Sequence, residues 1–244
     1  VALVFGPWVS VRGVERIAAA PRPTVFALNH NNAVETILIA AVLTFVRGRV
    51  PGFLVDWMYV HLPVVGWIVR LCEPIPVFSK PAKFRLYERL RLSARRRSPV
   101  DGAAAALVAV RDVALFPEGR RNGSAGSLEA GRPGIGRLVL ETGATVVPIG
   151  LRFPAATRSG RVPLVGRLEV EVGEELRFDI ERLSLVAESS GPVNAGERRA
   201  FAALVVERVM TELSRLSGKR RRRHPGEAHQ IRPSNVSGLP ASAG

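Results

Sequence analysis

Cysteine is nearly missing from this chain: Cys72 stands alone, which excludes an intrachain disulfide and a cysteine-rich metal site and fits a reducing compartment. Lysine is almost as scarce. Lys80, Lys83 and Lys219 are the only ones, so the formal charge of +14 is carried by arginine. No apolar run attains the ~18 to 20 residues of a membrane-spanning helix. The nearest, residues 52–72, is interrupted by Asp56, His61, Pro63 and Arg70. No secretory signal is visible, because the stretch Val1 to Val9 is short and has no basic flank. A GxSxG elbow, a P-loop and a GxGxxG fingerprint are all missing, which removes serine-hydrolase, NTPase and dinucleotide readings. His224 and His229 have no partners at metal-ligand spacing, and no metal site is expected.

What is present suffices for a sizeable core: 47% of the 244 residues are hydrophobic and 23% charged, the balance of one folded domain. The charge surplus calls for an acidic partner, either an anionic membrane surface or nucleic acid. Arginine's planar fork suits phosphate, although a GC-rich coding bias produces the same enrichment. The run KRRRR (219–223) has no aromatic platform or nucleic-acid fold beside it. Anionic lipid is therefore favoured over nucleic acid, and a peripheral protein at the cytoplasmic face of the cell membrane is expected.

Periodicity divides the chain into alternating strands and helices. Thr24 to Leu28 reads as a buried strand, followed by the polar break Asn29-His30-Asn31-Asn32 and a helix from Ala33 to Val46 that stops near Gly48. Val60 to Leu71 reads as an apolar helix or helix pair broken around Pro63 and Gly66. Ile75 to Phe78 is a short strand, Lys83 to Arg97 a basic helix, and Asp101 is the expected cap of a helix from Gly102 to Val110. Strands follow at Val113 to Phe116, Val146 to Leu151 and Leu168 to Val172, with a helix at Ile135 to Glu141 and a closing amphipathic helix at Glu197 to Leu216. This order predicts an α/β fold, a single mixed, mostly parallel sheet covered by helices on both faces. The expected domain is 1–217, and 218–244 reads as a basic, disordered tail.

Two segments can carry chemistry. An alcohol is almost fully protonated at neutral pH, and a histidine can take its proton as a new bond forms, with a carboxylate behind the imidazole to fix its tautomer. His30 and Glu35 suit those roles. Five residues apart on a continuous helix, they would diverge by about 140°. With His30 still in the turn, the carboxylate can fold back toward the ring. Asn32 and Glu35 equally have the spacing of a helix capping box, so both readings stand. The second segment, Phe116-Pro117-Glu118-Gly119-Arg120-Arg121, ends a strand in a tight turn that presents two guanidinium groups suited to a phosphate. The turn Gly131-Arg132-Pro133-Gly134 ahead of a helix is a further candidate for an anion.

As a set these segments resemble the glycerolipid acyltransferases of the 1-acylglycerol-3-phosphate acyltransferase type. NHNNAVE (29–35) resembles their NHxxxxD block, FPEGRRNG (116–123) their FPEGTR block, and LPVVGWIVRLCEPIPVFSK (62–80) the helix and strand between. VVPIGL (146–151) is similar to the block holding an active-site proline, here Pro148. The resemblance implies His30 as general base and Glu35 as its orienting carboxylate. It implies Glu118, Gly119 and Arg121 in acceptor binding and Lys80 as a second phosphate contact. The donor would be a thioester, acyl-CoA or acyl-carrier protein, with no cofactor, and the acceptor a lysophosphatidate-like lipid. Two departures stand out: Glu35 replaces the usual aspartate, and Arg120 replaces a threonine, adding charge near the head group. The alternative is a catalytically inactive relative acting as a basic membrane-surface or nucleic-acid binding module.

Overall fold

The structure is a computed structural model that describes residues 2–5, 8–60, 65–71, 74–78, 88–89, 98–154, 160–163, 166–188 and 192–222. The elements in chain order are β1 (Ala2–Phe5), β2 (Val9–Arg12), α1 (Val14–Ala19), β3 (Thr24–Leu28), α2 (Ala33–Arg47), β4 (Gly52–Asp56), α3 (Trp57–Val60), α4 (Val65–Leu71) and β5 (Ile75–Val77). After them come α5 (Pro99–Val108), β6 (Val113–Leu115), β7 (Ser127–Leu128), α6 (Gly134–Thr142), β8 (Thr145–Arg152), β9 (Leu168–Val172), α7 (Asp179–Glu188), α8 (Ala195–Ser217) and β10 (Arg220–Arg221).

An eight-stranded sheet runs in the order β1-β2-β9-β8-β3-β6-β4-β5 among the described residues. The β1–β2 and β8–β9 pairings are antiparallel and the others parallel, so the sheet is mixed and mostly parallel, as the sequence predicts. All five residues of β3 are buried, because helices cover both faces of a central parallel strand, and its one polar side chain, Thr24, donates Oγ1 to Pro21 O. Val25, Ala27 and Val146 face α5, α6 and α8 through Leu107, Leu138 and Val209. Phe26, Leu28 and Ile149 face the other way, toward Ile17 of α1 and Ile39 and Leu43 of α2. In β9 the alternation Leu168-Glu169-Val170-Glu171-Val172 buries only the apolar positions.

This connectivity places the site. β3 leads through α2 to β4 on one side, whereas β6 leads through α6 to β8 on the other, and the two helices lie on opposite faces. The connections therefore part between β3 and β6, and the carboxyl ends of strands at such a point are where open α/β sheets bind ligands.

Several expected boundaries move. Asp101 is not the cap of α5: the cap is Ser98, whose hydroxyl accepts from Asp101 N, while Asp101 sits at the third helical position and completes a capping box. Pro99 occupies the first turn, where its missing N–H costs nothing, and this lets the helix start three residues earlier. Trp57 is 1% exposed and stacks with the half-buried Phe78. The apolar stretch around it begins as strand β4, and α3 and α4 form the helix pair, with 61–64 outside the described residues. The basic helix expected at Lys83 to Arg97 likewise lies outside them, apart from a helical turn at 88–89. The chain expected to be tail from 218 adds β10, paired in parallel with β7.

At the opposite end of β3, a buried ion pair locks the helix layer to the sheet. Arg47 donates Nε to Asp112 Oδ2 at 2.8 Å and Nη2 to Oδ1 at 3.0 Å, and its Nη1 reaches the carbonyls of Ile17 and Ala20. Asp112 also accepts from Thr24 N at 2.9 Å. Asp112→Ala leaves a buried guanidinium without its counter-charge. It is expected to cost about 3 to 5 kcal/mol of stability in urea denaturation.

Candidate active site

Four residues of the NHNN loop each have a distinct hydrogen-bonding task. Asn29 continues the β3–β8 ladder past the end of the strand. Its side-chain amide donates to Leu151 O at 3.0 Å and accepts from Leu151 N at 2.6 Å, as a paired strand residue would. Asn32 caps α2, its Oδ1 accepting from Val34 N and Glu35 N. Between them the chain turns, and His30 is held through its backbone: its N–H donates to Glu118 Oε1 at 2.9 Å and its carbonyl accepts from Asn122 N at 2.8 Å. The two motif loops are thereby fastened to each other by main-chain hydrogen bonds.

The Glu35 carboxylate is fully buried and points back over its own helix terminus. Oε1 lies 3.0 Å from His30 Nδ1 and accepts from the backbone N–H groups of Asn31 and Asn32, and Oε2 accepts from Asn31 Nδ2 at 2.8 Å. The capping box and the imidazole pair are thus both present and use the same oxygen. The extra methylene of glutamate is accommodated because the side chain curls around the first turn. With Nδ1 donating to a carboxylate, the imidazole is the tautomer whose Nε2 carries a free lone pair. Nε2 has no hydrogen-bond partner among the described residues, and the side chain is 16% exposed. Phe116 stacks on the ring at 3.9 Å and 16°, fixing its face.

Glu118 faces inward. It is 2% exposed, and both oxygens are occupied by protein donors: His30 N on Oε1, Glu129 N at 2.7 Å and Asn122 Nδ2 at 3.3 Å on Oε2. Burial pushes this carboxyl above its ordinary range, against the opposing effect of those three donors and of Lys219. Its task is to hold His30 and the loop in register. Gly119 follows at φ +66°, a backbone conformation that disfavours a side chain, and the Arg132 side chain crosses directly over it.

The expected phosphate contacts separate into three groups. Arg121 and Arg132 are exposed and have no carboxylate partner among the described residues. Arg121 Nη2 is 3.3 Å from Tyr59 Oη, and Arg132 Nε donates to Glu118 O at 3.3 Å. Arg120 is exposed but paired with Glu129 at 2.6 Å, which Arg222 also approaches at 3.3 Å. Lys80 lies outside the described residues. Pro148 is buried in mid-strand, opposite Ala27, with its ring against Gly173 beneath α8. No cluster of three or more metal-binding side chains occurs among the described residues.

Sequence reasoning missed Lys219. The end of α8 is carried to this edge of the sheet by Gly150, where a Cβ would stand 2.5 Å from Leu216. Just beyond, Lys219 is 4% exposed, and its ammonium donates to Asn31 Oδ1 and, at 2.6 Å, to Ser124 O. Burial pushes this ammonium below its ordinary range, opposed by the charges of Glu118 and Glu35. No local spacing links Lys219 to Asn31 of the NHNN loop, 188 residues away.

The sequence matches the acyltransferase family over residues 9–152, more than half of the 244, and the span includes both motif loops. No curated protein matches the chain. The fold resembles the crystal structure of the 1-acyl-sn-glycerophosphate (LPA) acyltransferase PlsC from Thermotoga maritima. The TM-score is 0.53 and the identity 20%, over 85% of this chain and 72% of that one. Sequence match, sheet topology and the paired loops at the carboxyl edge agree: the chain belongs to the acyltransferase family.

Proposed function

We propose that this acyltransferase moves a fatty acyl group from a thioester, acyl-CoA or acyl-carrier protein, onto the hydroxyl of a lysophosphatidate-like lipid, with His30 as general base. The observation that carries this reading is the free Nε2 of an imidazole whose Nδ1 is held by the buried Glu35. In the reaction the acceptor oxygen attacks the thioester carbonyl carbon as Nε2 takes the hydroxyl proton. The tetrahedral intermediate collapses, the C–S bond breaks, and the departing thiolate takes the proton from the imidazolium. Glu35 stabilises the imidazolium between these steps.

Arg121 and Arg132, beside the FPEG turn, supply charge for the acceptor's phosphate. The lipid substrates place the reaction at an anionic membrane, and support for a peripheral position comes from exposed Ile37, Phe45, Met58 and Trp67 beside the basic excess. Among the described residues no helix is long and apolar enough to cross a membrane.

The test is acyl transfer by the purified chain from acyl-CoA and from acyl-carrier protein thioesters to lysophosphatidate in anionic vesicles, followed as released thiol. Arg121→Ala and Arg132→Ala are each expected to raise the acceptor KM about tenfold with little change in kcat. The same variants should leave turnover of a phosphate-free monoacylglycerol unaffected. Equal losses with both acceptors, or no turnover with any thioester, would overturn the proposal.

A further inference from the structure

We propose that Lys219, which lies outside the span matched to the family, is a positioning residue for the His30–Glu35 pair and supplies the compensating positive charge for the two buried carboxylates behind the imidazole. The inference rests on the function proposed above and adds a component to it.

The connection is continuous. The Lys219 ammonium donates to Asn31 Oδ1, Asn31 Nδ2 donates to Glu35 Oε2 at 2.8 Å, and Glu35 Oε1 meets His30 Nδ1 at 3.0 Å. A second branch runs from Lys219 to Ser124 O, in the loop that carries Glu118, whose carboxylate holds His30 N. One cation thus orients the amide that orients the carboxylate, and fastens the loop that fixes the imidazole's backbone. Asn31 Oδ1 also accepts from Asn29 Nδ2, at the longer distance of 3.4 Å, so Lys219 is the closer of two donors on it. The Asn31 amide must present Nδ2 to Glu35, and the donors on Oδ1 set that orientation.

Charge leads to the same place. Glu35 and Glu118 are 0% and 2% exposed, and Lys219 is the one buried cation bonded to this cluster among the described residues. The other charged groups around it are Arg132, on the Glu118 carbonyl, and Glu129 with its partners Arg120 and Arg222. With both carboxyls ionised and Lys219 protonated the three groups would sum to one negative charge, and a proton on His30 would bring the cluster to neutrality. Without the lysine, a field of two negative charges would hold a proton on the imidazole and compromise it as a base.

Lys219→Gln and Lys219→Arg separate charge from tethering, since glutamine retains N–H donors and arginine retains the charge. Lys219→Gln is expected to lower kcat/KM about 10- to 100-fold, mainly through kcat. It should also move the acid limb of the pH profile upward by about half a unit or more. Lys219→Arg should keep the limb in the wild-type position even where its rate is reduced. The NMR titration of the His30 imidazole, assigned with His30→Gln, should show the same upward displacement in Lys219→Gln without any substrate. This readout survives failure of the proposed reaction, which the wild-type assay tests separately. The inference is overturned if folded Lys219→Gln titrates and turns over at the wild-type pH, or if Lys219→Arg is displaced as far as Lys219→Gln. Should Lys219→Gln not fold, Lys219→Met is read in its place by the same titration.

Discussion

Replacing His30 with alanine is expected to lower kcat/KM by about 10²- to 10⁴-fold while the protein stays folded. The size follows from the role: a positioned general base contributes about that factor, and no other imidazole lies among the described residues to substitute for it. Folding should survive because the His30 contributions to structure run through its backbone, which alanine retains. The N–H to Glu118 and the carbonyl to Asn122 are unchanged in kind. Glu35 keeps its donors from Asn31 and Asn32. The losses are the stack on Phe116 and one hydrogen bond to a charged group, together about 2 kcal/mol. Turnover and thermal denaturation of the same preparation check this. A folded His30→Ala protein at full rate would remove the proposed chemistry, whatever the family relationship.

The fold was legible where local and tertiary preferences coincide. Thr24 to Leu28 and Leu168 to Val172 were readable to the residue, because a short run of β-formers ended by a polar break and a clean alternation both favour a strand. The helix stop near Gly48 was readable because that residue takes a left-handed conformation that glycine favours. Strand β4 was not. Gly52 to Asp56 runs without a break into the apolar helix that follows, and only its pairing with β6 and β5 makes it a strand. Helix α7 was not foreseen either; Ile180, Leu183 and Val186 are exposed, and Leu185 packs against the core from a partly buried position.

The site divides in the same way. His30, Glu35 and the FPEG turn were found from local spacing, and the structure joins them. What spacing could not give was the direction of each side chain. Glu118 sits in the most distinctive block of the sequence, yet it faces inward, because the backbone N–H groups of His30 and Glu129 would otherwise be buried without acceptors. Lys219 is 188 residues from Asn31, a distance in sequence that no local pattern bridges. Its apparent context was a solvated basic run. Only the packing of α8 along β8 shows that the first residue of that run is inside.

Glu35 offers the second large effect, and it requires a control, because one oxygen serves both the helix terminus and the imidazole. Glu35→Gln is expected to reduce kcat about 10²- to 10³-fold. The amide can still accept from Asn31 N and Asn32 N through its oxygen, but it has no charge with which to stabilise the imidazolium formed in the transition state. Its NH₂ group would also face Asn31 Nδ2, donor against donor. The amide of Asn31 must then turn and withdraw its acceptor from Lys219. Some stability will be lost as well, about 1 to 3 kcal/mol for a buried donor left unmatched. Asn32→Ala isolates the capping contribution. It removes the acceptor for Val34 N and Glu35 N and the contact with Pro163 O, yet leaves Glu35 on His30. A lost cap costs about 1 kcal/mol, and the expected change in kcat is less than about threefold, since the imidazole's partner is untouched. The two variants, compared by denaturant midpoint and by kcat at saturating substrate, should therefore separate: similar instability, very different rates. If kcat falls in proportion to stability in both, Glu35 acts on the helix terminus alone, and the orientation of His30 must come from Phe116 and the backbone contacts of Glu118 and Asn122.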